Sequence, residues 1–148
     1  MSRMKQIYGV LLALFALSPL VAAQNQPPRT PEEKEKQLLE YIDKEVKRLS
    51  ELLDLEYWQE FYVDSTLTYD YKAMQAELED LSKAKVGNSD LYVNVQDKWL
   101  EAIDLSYQKF FTEDQWEKYL KTGGRKAQKA REKRRAKAEK AARDLKSE

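Results

Sequence analysis

The chain has 148 residues, 26 basic and 26 acidic side chains, and only four Gly and four Pro. This is the length of one domain and the composition of long helices, since sheets consume Gly and Pro in their turns. Cys and His are both absent, which excludes disulfides and thiol nucleophiles and removes the commonest general base and transition-metal ligand.

The N-terminus has the three-part layout of a secretory signal. Arg3 and Lys5 give a positive start, Ile7–Leu20 is an apolar run too short to span a bilayer comfortably, and Val21-Ala22-Ala23 supplies the small residues a signal peptidase needs. Residues 1–23 are therefore expected to be a signal peptide cut after Ala23, with export to the periplasm. No Cys follows the cut to carry a lipid anchor, and an exported chain without Cys suits a periplasm. Residues 24–30, with Pro27-Pro28, read as a linker. Residues 31–122 read as a helical domain and residues 123–148 as a basic helical or disordered tail.

The charges are unevenly placed. Gln24–Gly124 carries 13 basic and 22 acidic residues, a net −9, whereas Arg125–Glu148 carries 11 basic and 4 acidic, a net +7.

Thr30-Pro31-Glu32-Glu33 opens the first helix as a capping box with Pro at the first helical position. Leu38, Ile42, Val46, Leu49 and Leu53 follow as one apolar stripe, predicting a helix over about Pro31–Leu52. Asp54 is the expected cap of the second helix. In that helix Leu67, Tyr71, Met74, Leu78 and Leu81 keep a heptad rhythm and read as core. Val86–Asp90 is the clearest loop, with Gly87 expected to close one helix and Asn88 or Ser89 to cap the next. Leu91, Tyr92, Val95, Trp99, Ile103 and Phe110 carry the third helix. Thr112–Gln115 is a second capping box, and Gly123-Gly124 ends the short helix it opens. The fold expected is all-α: an elongated antiparallel helical hairpin with flanking helices and a charged C-terminal helix. That last helix offers only Ala127, Ala130, Ala138, Ala141 and Leu145 for burial, so it reads as solvated and fraying.

Two segments resemble each other. Leu55, Glu56 and Gln59 stand in one at the spacing of Phe111, Thr112 and Gln115 in the other, and each opens a helix after a turn. The paired Leu-Thr-x-x-Gln pattern is similar to that of the Spy/CpxP family of periplasmic stress proteins, over roughly Glu33–Leu120. Glu56 departs from the pattern's Thr and Phe111 from its Leu. The resemblance implies a thin, curved, all-helical dimer that binds partly unfolded proteins without ATP. The family's cradle is basic, whereas this body is acidic. By helix chemistry alone, these motif residues are caps.

Trp58, Phe61 and Tyr62 widen the apolar face at the start of the second helix, and Tyr57, Tyr62, Tyr69 and Tyr92 lie off or beside the core stripes; these six are the candidates for protein contact, since Tyr and Trp combine large area with a polar handle. The basic tail (Arg125, Lys126, Lys129, Arg131, Lys133, Arg134 and Arg135) could touch an anionic membrane surface electrostatically or simply be solvated. Export disfavours nucleic acid. No Gly-rich phosphate loop, nucleophile elbow or metal-ligand spacing occurs, so neither an enzyme nor a cofactor is expected. Two functions remain: a chaperone-like stress protein, possible as a homodimer, that binds unfolded or envelope proteins; and a non-enzymatic envelope adaptor with one folded partner.

Overall fold

The structure, a computed structural model, describes residues 27–147. Among them are the helices α1 Pro31–Leu53, α2 Tyr57–Lys83, α3 Ser89–Phe110, α4 Glu113–Tyr119 and α5 Arg125–Lys146, and no strand. The chain is all-α, as expected. The predicted signal peptide lies outside the described residues. The chain divides after Lys34 into two compact units. Within the first, Thr30 caps α1: its hydroxyl accepts from the Glu33 N–H at 3.2 Å and its own N–H donates to the Glu33 carboxylate at 3.0 Å.

The larger unit runs α1, α2 and α3 back and forth. Glu35 pairs with Lys72 at 2.8 Å, the Tyr41 and Tyr71 rings meet edge to face at 5.6 Å, and Ser50 reaches Glu60. Between α2 and α3, Tyr62 stacks on Phe110 at 5.7 Å and Lys98 bonds Glu77 at 2.7 Å. In both pairings one index falls as the other rises, so neighbours are antiparallel. The apolar stripes meet inside: Leu38, Ile42, Leu49 and Leu53 from α1, Val63, Leu67, Tyr71 and Met74 from α2, and Ile103 and Tyr107 from α3 are buried. Burying one such aliphatic side chain contributes about 1.5–3 kcal/mol.

The heptad of α2 outruns this core. Leu78 and Leu81, expected to be buried, are only half-buried, as are Val95 and Trp99 opposite. Within the larger unit, α1 reaches along α2 as far as the Glu35–Lys72 pair, and beyond it Lys98 of α3 joins Glu77 of α2.

Both turns around α2 close by one device that the sequence placed elsewhere. Asp54 does not cap α2; it takes φ 52° just past the end of α1, and the Leu55 N–H returns to the Ser50 carbonyl at 3.2 Å. At the far end Lys85 takes φ 53° and the Val86 N–H returns to the Leu81 carbonyl at 3.1 Å, so Gly87 does not close the helix. Each is a Schellman motif, whose left-handed position favours Gly because a Cβ is strained there. Lys85→Gly is therefore expected to raise stability by about 0.5–1 kcal/mol in urea denaturation; a destabilised variant would refute this account of the turn. Asn88 caps α3 as expected, accepting from the Asp90 N–H at 3.0 Å.

Gly123-Gly124 bends the chain rather than ending it. Gly123 sits at φ 125°, and a Cβ on Gly124 would come within 2.9 Å of the Tyr119 ring. Helix resumes at Arg125, and its first half is not the solvated tail expected. Arg131 is buried against Asp104, Arg134 grips Asp97 at 2.7 and 2.8 Å, and Arg135 pairs with Glu101. The sequence shows few apolar residues here because the docking is ionic. Arg134 is pushed to an even higher pKa by its hydrogen bonds to Asp97. From Glu132 onward every described residue of α5 is exposed, so the solvated description holds for the outer half.

Candidate protein-binding site

The two resembling helix starts come together in space. At the start of α2, the Glu56 N–H donates to the Gln59 side-chain oxygen at 3.0 Å. At the start of α4, the Thr112 N–H donates to the Gln115 side-chain oxygen at 2.9 Å, and the Gln115 N–H donates to the Thr112 hydroxyl at 3.2 Å. Each Gln thus caps its own helix from the third helical position.

Each Gln also holds the other. Gln59 Nε2 donates to Gln115 Oε1 at 2.7 Å and to the Phe110 carbonyl at 2.8 Å. Gln115 Nε2 donates to Gln59 Oε1 at 3.1 Å and to the Leu53 carbonyl at 3.3 Å. Both carboxamides use two donors and two acceptor sites, their full capacity. The carbonyls they bind end α1 and α3, so four helix termini are tied by one amide pair. Gln59 is 1% exposed, and a satisfied network so buried specifies a single geometry. Leu55 and Phe111 are buried on either side, while Glu56 and Thr112 stay exposed.

Aromatic rings continue outward from this lock. Tyr107, Phe110, Phe111 and Tyr119 pack on one another with centroids 4.8–6.2 Å apart. Tyr62 stacks on Phe110, and Trp58 and Phe61 meet Tyr62 edge to face at 6.0 and 5.9 Å. The Trp58 indole N–H donates to Glu56 at 2.6 Å, which fixes the ring on the helix start. Tyr57, Trp58, Phe61, Tyr62 and Tyr69 are all exposed, as expected, with Tyr57 at 85% and Phe61 at 62%. They share the outer face of α2, but only Trp58, Phe61 and Tyr62 form a ring cluster. Tyr92 is the exception: it is half-buried and its hydroxyl donates to the Val86 carbonyl at 2.9 Å, bracing the α2–α3 turn.

One further polar centre lies outside the sequence motifs. Asp104, buried on α3, accepts from Arg131, from the Tyr119 hydroxyl at 2.7 Å and from Gln128 at 3.3 Å. Burial drives the Tyr119 and Tyr107 hydroxyls well above the ordinary tyrosine range, with the Asp104 charge adding to the effect at Tyr119. Tyr71 is pushed up to about 12 by burial, and Tyr41 beside it is raised further by the same cause. These hydroxyls stay neutral and structural at any ordinary pH. The signal for Asp104 was present as Asp97, Glu101 and Asp104, an acidic row at helical spacing beside the apolar stripe.

Among the described residues no cluster of three or more metal-binding side chains occurs, and no helix is long and apolar enough to cross a membrane. No family model matches the chain, and neither a curated protein nor a solved structure matches it.

Proposed function

We propose that this chain is an exported, non-enzymatic protein-binding module that holds partly unfolded polypeptides in the manner of an ATP-independent chaperone. The observation that carries this is the exposed aromatic face of Tyr57, Trp58, Phe61 and Tyr62 at a helix start locked by the Gln59–Gln115 pair. Exposed rings held rigidly bind apolar segments with little further ordering cost. Acidic Glu56 and Asp64 are exposed beside them in sequence, so segments combining apolar and basic residues fit best, and charge steers their encounter. The Spy/CpxP resemblance agrees with this role, although a basic cradle is replaced by an acidic one.

The purified protein is expected to suppress aggregation of a chemically unfolded client at near-stoichiometric ratio. Tyr57→Ser with Phe61→Ser should leave the melting temperature unchanged and require roughly five- to tenfold more protein for equal suppression. Absence of suppression by the unaltered protein across a wide ratio range would remove the proposal. Cross-linking in native envelopes separates the adaptor alternative, which gives one folded partner where a chaperone gives many unrelated ones.

A further inference from the structure

The basic helix sorts its cations by face. Arg131, Arg134 and Arg135 turn inward and are matched by Asp104, Asp97 and Glu101 on α3, and Arg125 pairs with Glu117 at 3.4 Å. Lys126, Lys129, Lys133, Lys137 and Lys140 follow at spacings of three, four, four and three, which puts them on one stripe about 80° wide at 100° per residue. All five are exposed, and among the described residues no ion pair takes any of them. Glu132 and Glu139 fall off the stripe, and Asp144 stands only at its end. The row is roughly 21 Å long and is held rigid at its inner half by the arginine pairs.

We propose that this lysine stripe is a docking surface for an anionic phospholipid bilayer. The residue types fit that occupant. Arginine, whose planar fork suits bidentate recognition, meets the body at Arg131, Arg134 and Arg135, while lysine, a point charge, faces outward. A straight row of point charges reads no pattern and suits a flat sheet of mobile negative headgroups. Between the lysines the stripe is flanked only by Ala130 and Ala136, so the helix lies on the surface without inserting. Gln24–Gly124 carries a net −9 and is repelled by the same surface, which leaves the stripe as the contact. This inference does not depend on chaperone activity.

The test is co-sedimentation of the full-length chain with vesicles of phosphatidylglycerol and phosphatidylcholine against phosphatidylcholine alone. The neutral vesicles measure any uptake through the apolar N-terminal run. Partitioning onto anionic vesicles is expected to exceed that onto neutral ones by at least about 100-fold at low salt and to collapse at about 0.5 M salt. Replacing the five lysines by Gln should abolish the difference, each lysine counting for about fivefold. A control with Lys36, Lys44, Lys47, Lys83 and Lys118 replaced by Gln, which changes the net charge equally, should keep it. Equal partitioning on both vesicle types, equal loss in the control, or tighter binding to DNA than to the anionic vesicles would each overturn the proposal. Circular dichroism confirms that both variants remain helical.

Discussion

Gln59→Glu is expected to destabilise the protein by about 3–5 kcal/mol at neutral pH, although it changes one NH2 group to an oxygen. In the native protein that group donates to Gln115 and to the Phe110 carbonyl. A carboxylate there would face two acceptors in a site 1% exposed. The penalty depends on pH with a definite sign. Burial and facing acceptors raise the folded pKa of the new Glu above its unfolded value of about 4.3. The excess instability is therefore small below that value, grows as pH rises above it, and levels off past the folded pKa. Urea denaturation at pH 4 and pH 7 measures it. A gap between variant and native protein that is the same at both would contradict the role given to the amide pair.

Asp104→Leu is the second large effect, about 3–5 kcal/mol. It leaves the Arg131 guanidinium buried without its anion and the Tyr119 hydroxyl without its acceptor. Arg131 can escape only by lifting α5 from α3. Loss of global stability should thus be accompanied by faster hydrogen exchange and tryptic cleavage over residues 125–135. Pairing Asp104→Leu with Arg131→Met should recover at least about 2 kcal/mol, since an apolar pair replaces a buried ion pair without leaving a stranded charge. If the double variant is as unstable as the single one, the ion pair is not what fixes α5.

Helices with a sustained apolar stripe and a Thr cap were legible in sequence. The stripe from Leu38 to Leu53 and the boxes at Thr30 and Thr112 encode burial and capping locally, within four residues. Asp54 and Lys85 misled for a common reason: a Schellman turn is fixed by backbone bonds between residues five apart, and side-chain identity records it only when Gly is present. Gly87, the expected marker, sits two residues late. The docked half of α5 was misread because apolar periodicity is blind to ionic docking. At the candidate site, the exposure of Tyr57, Tyr62 and Tyr69 followed from their offset from the stripe, that of Trp58 and Phe61 from an excess of aromatics over what one buried stripe needs, and the likeness of the two Gln-bearing segments was visible. Their contact was not, since nothing local tells Gln59 that Gln115 lies opposite. Tyr92 was misplaced because its ring braces a turn whose position depends on Lys85.

The amide pair also orders events in time. Gln59 and Gln115 are 56 residues apart, and Gln115 and Leu53 are 62 apart, whereas each helix and the turn between α2 and α3 form from neighbours. Closing so long a loop unaided is slow and entropically unfavourable. Once α2 and α3 have folded back on each other, Phe110 already stands beside Tyr62, and only a short segment separates Gln115 from its partner. The lock is therefore expected to engage late, after the hairpin. It then acts chiefly on the rate of escape from the native state, so that replacing it is expected to speed unfolding more than it slows folding.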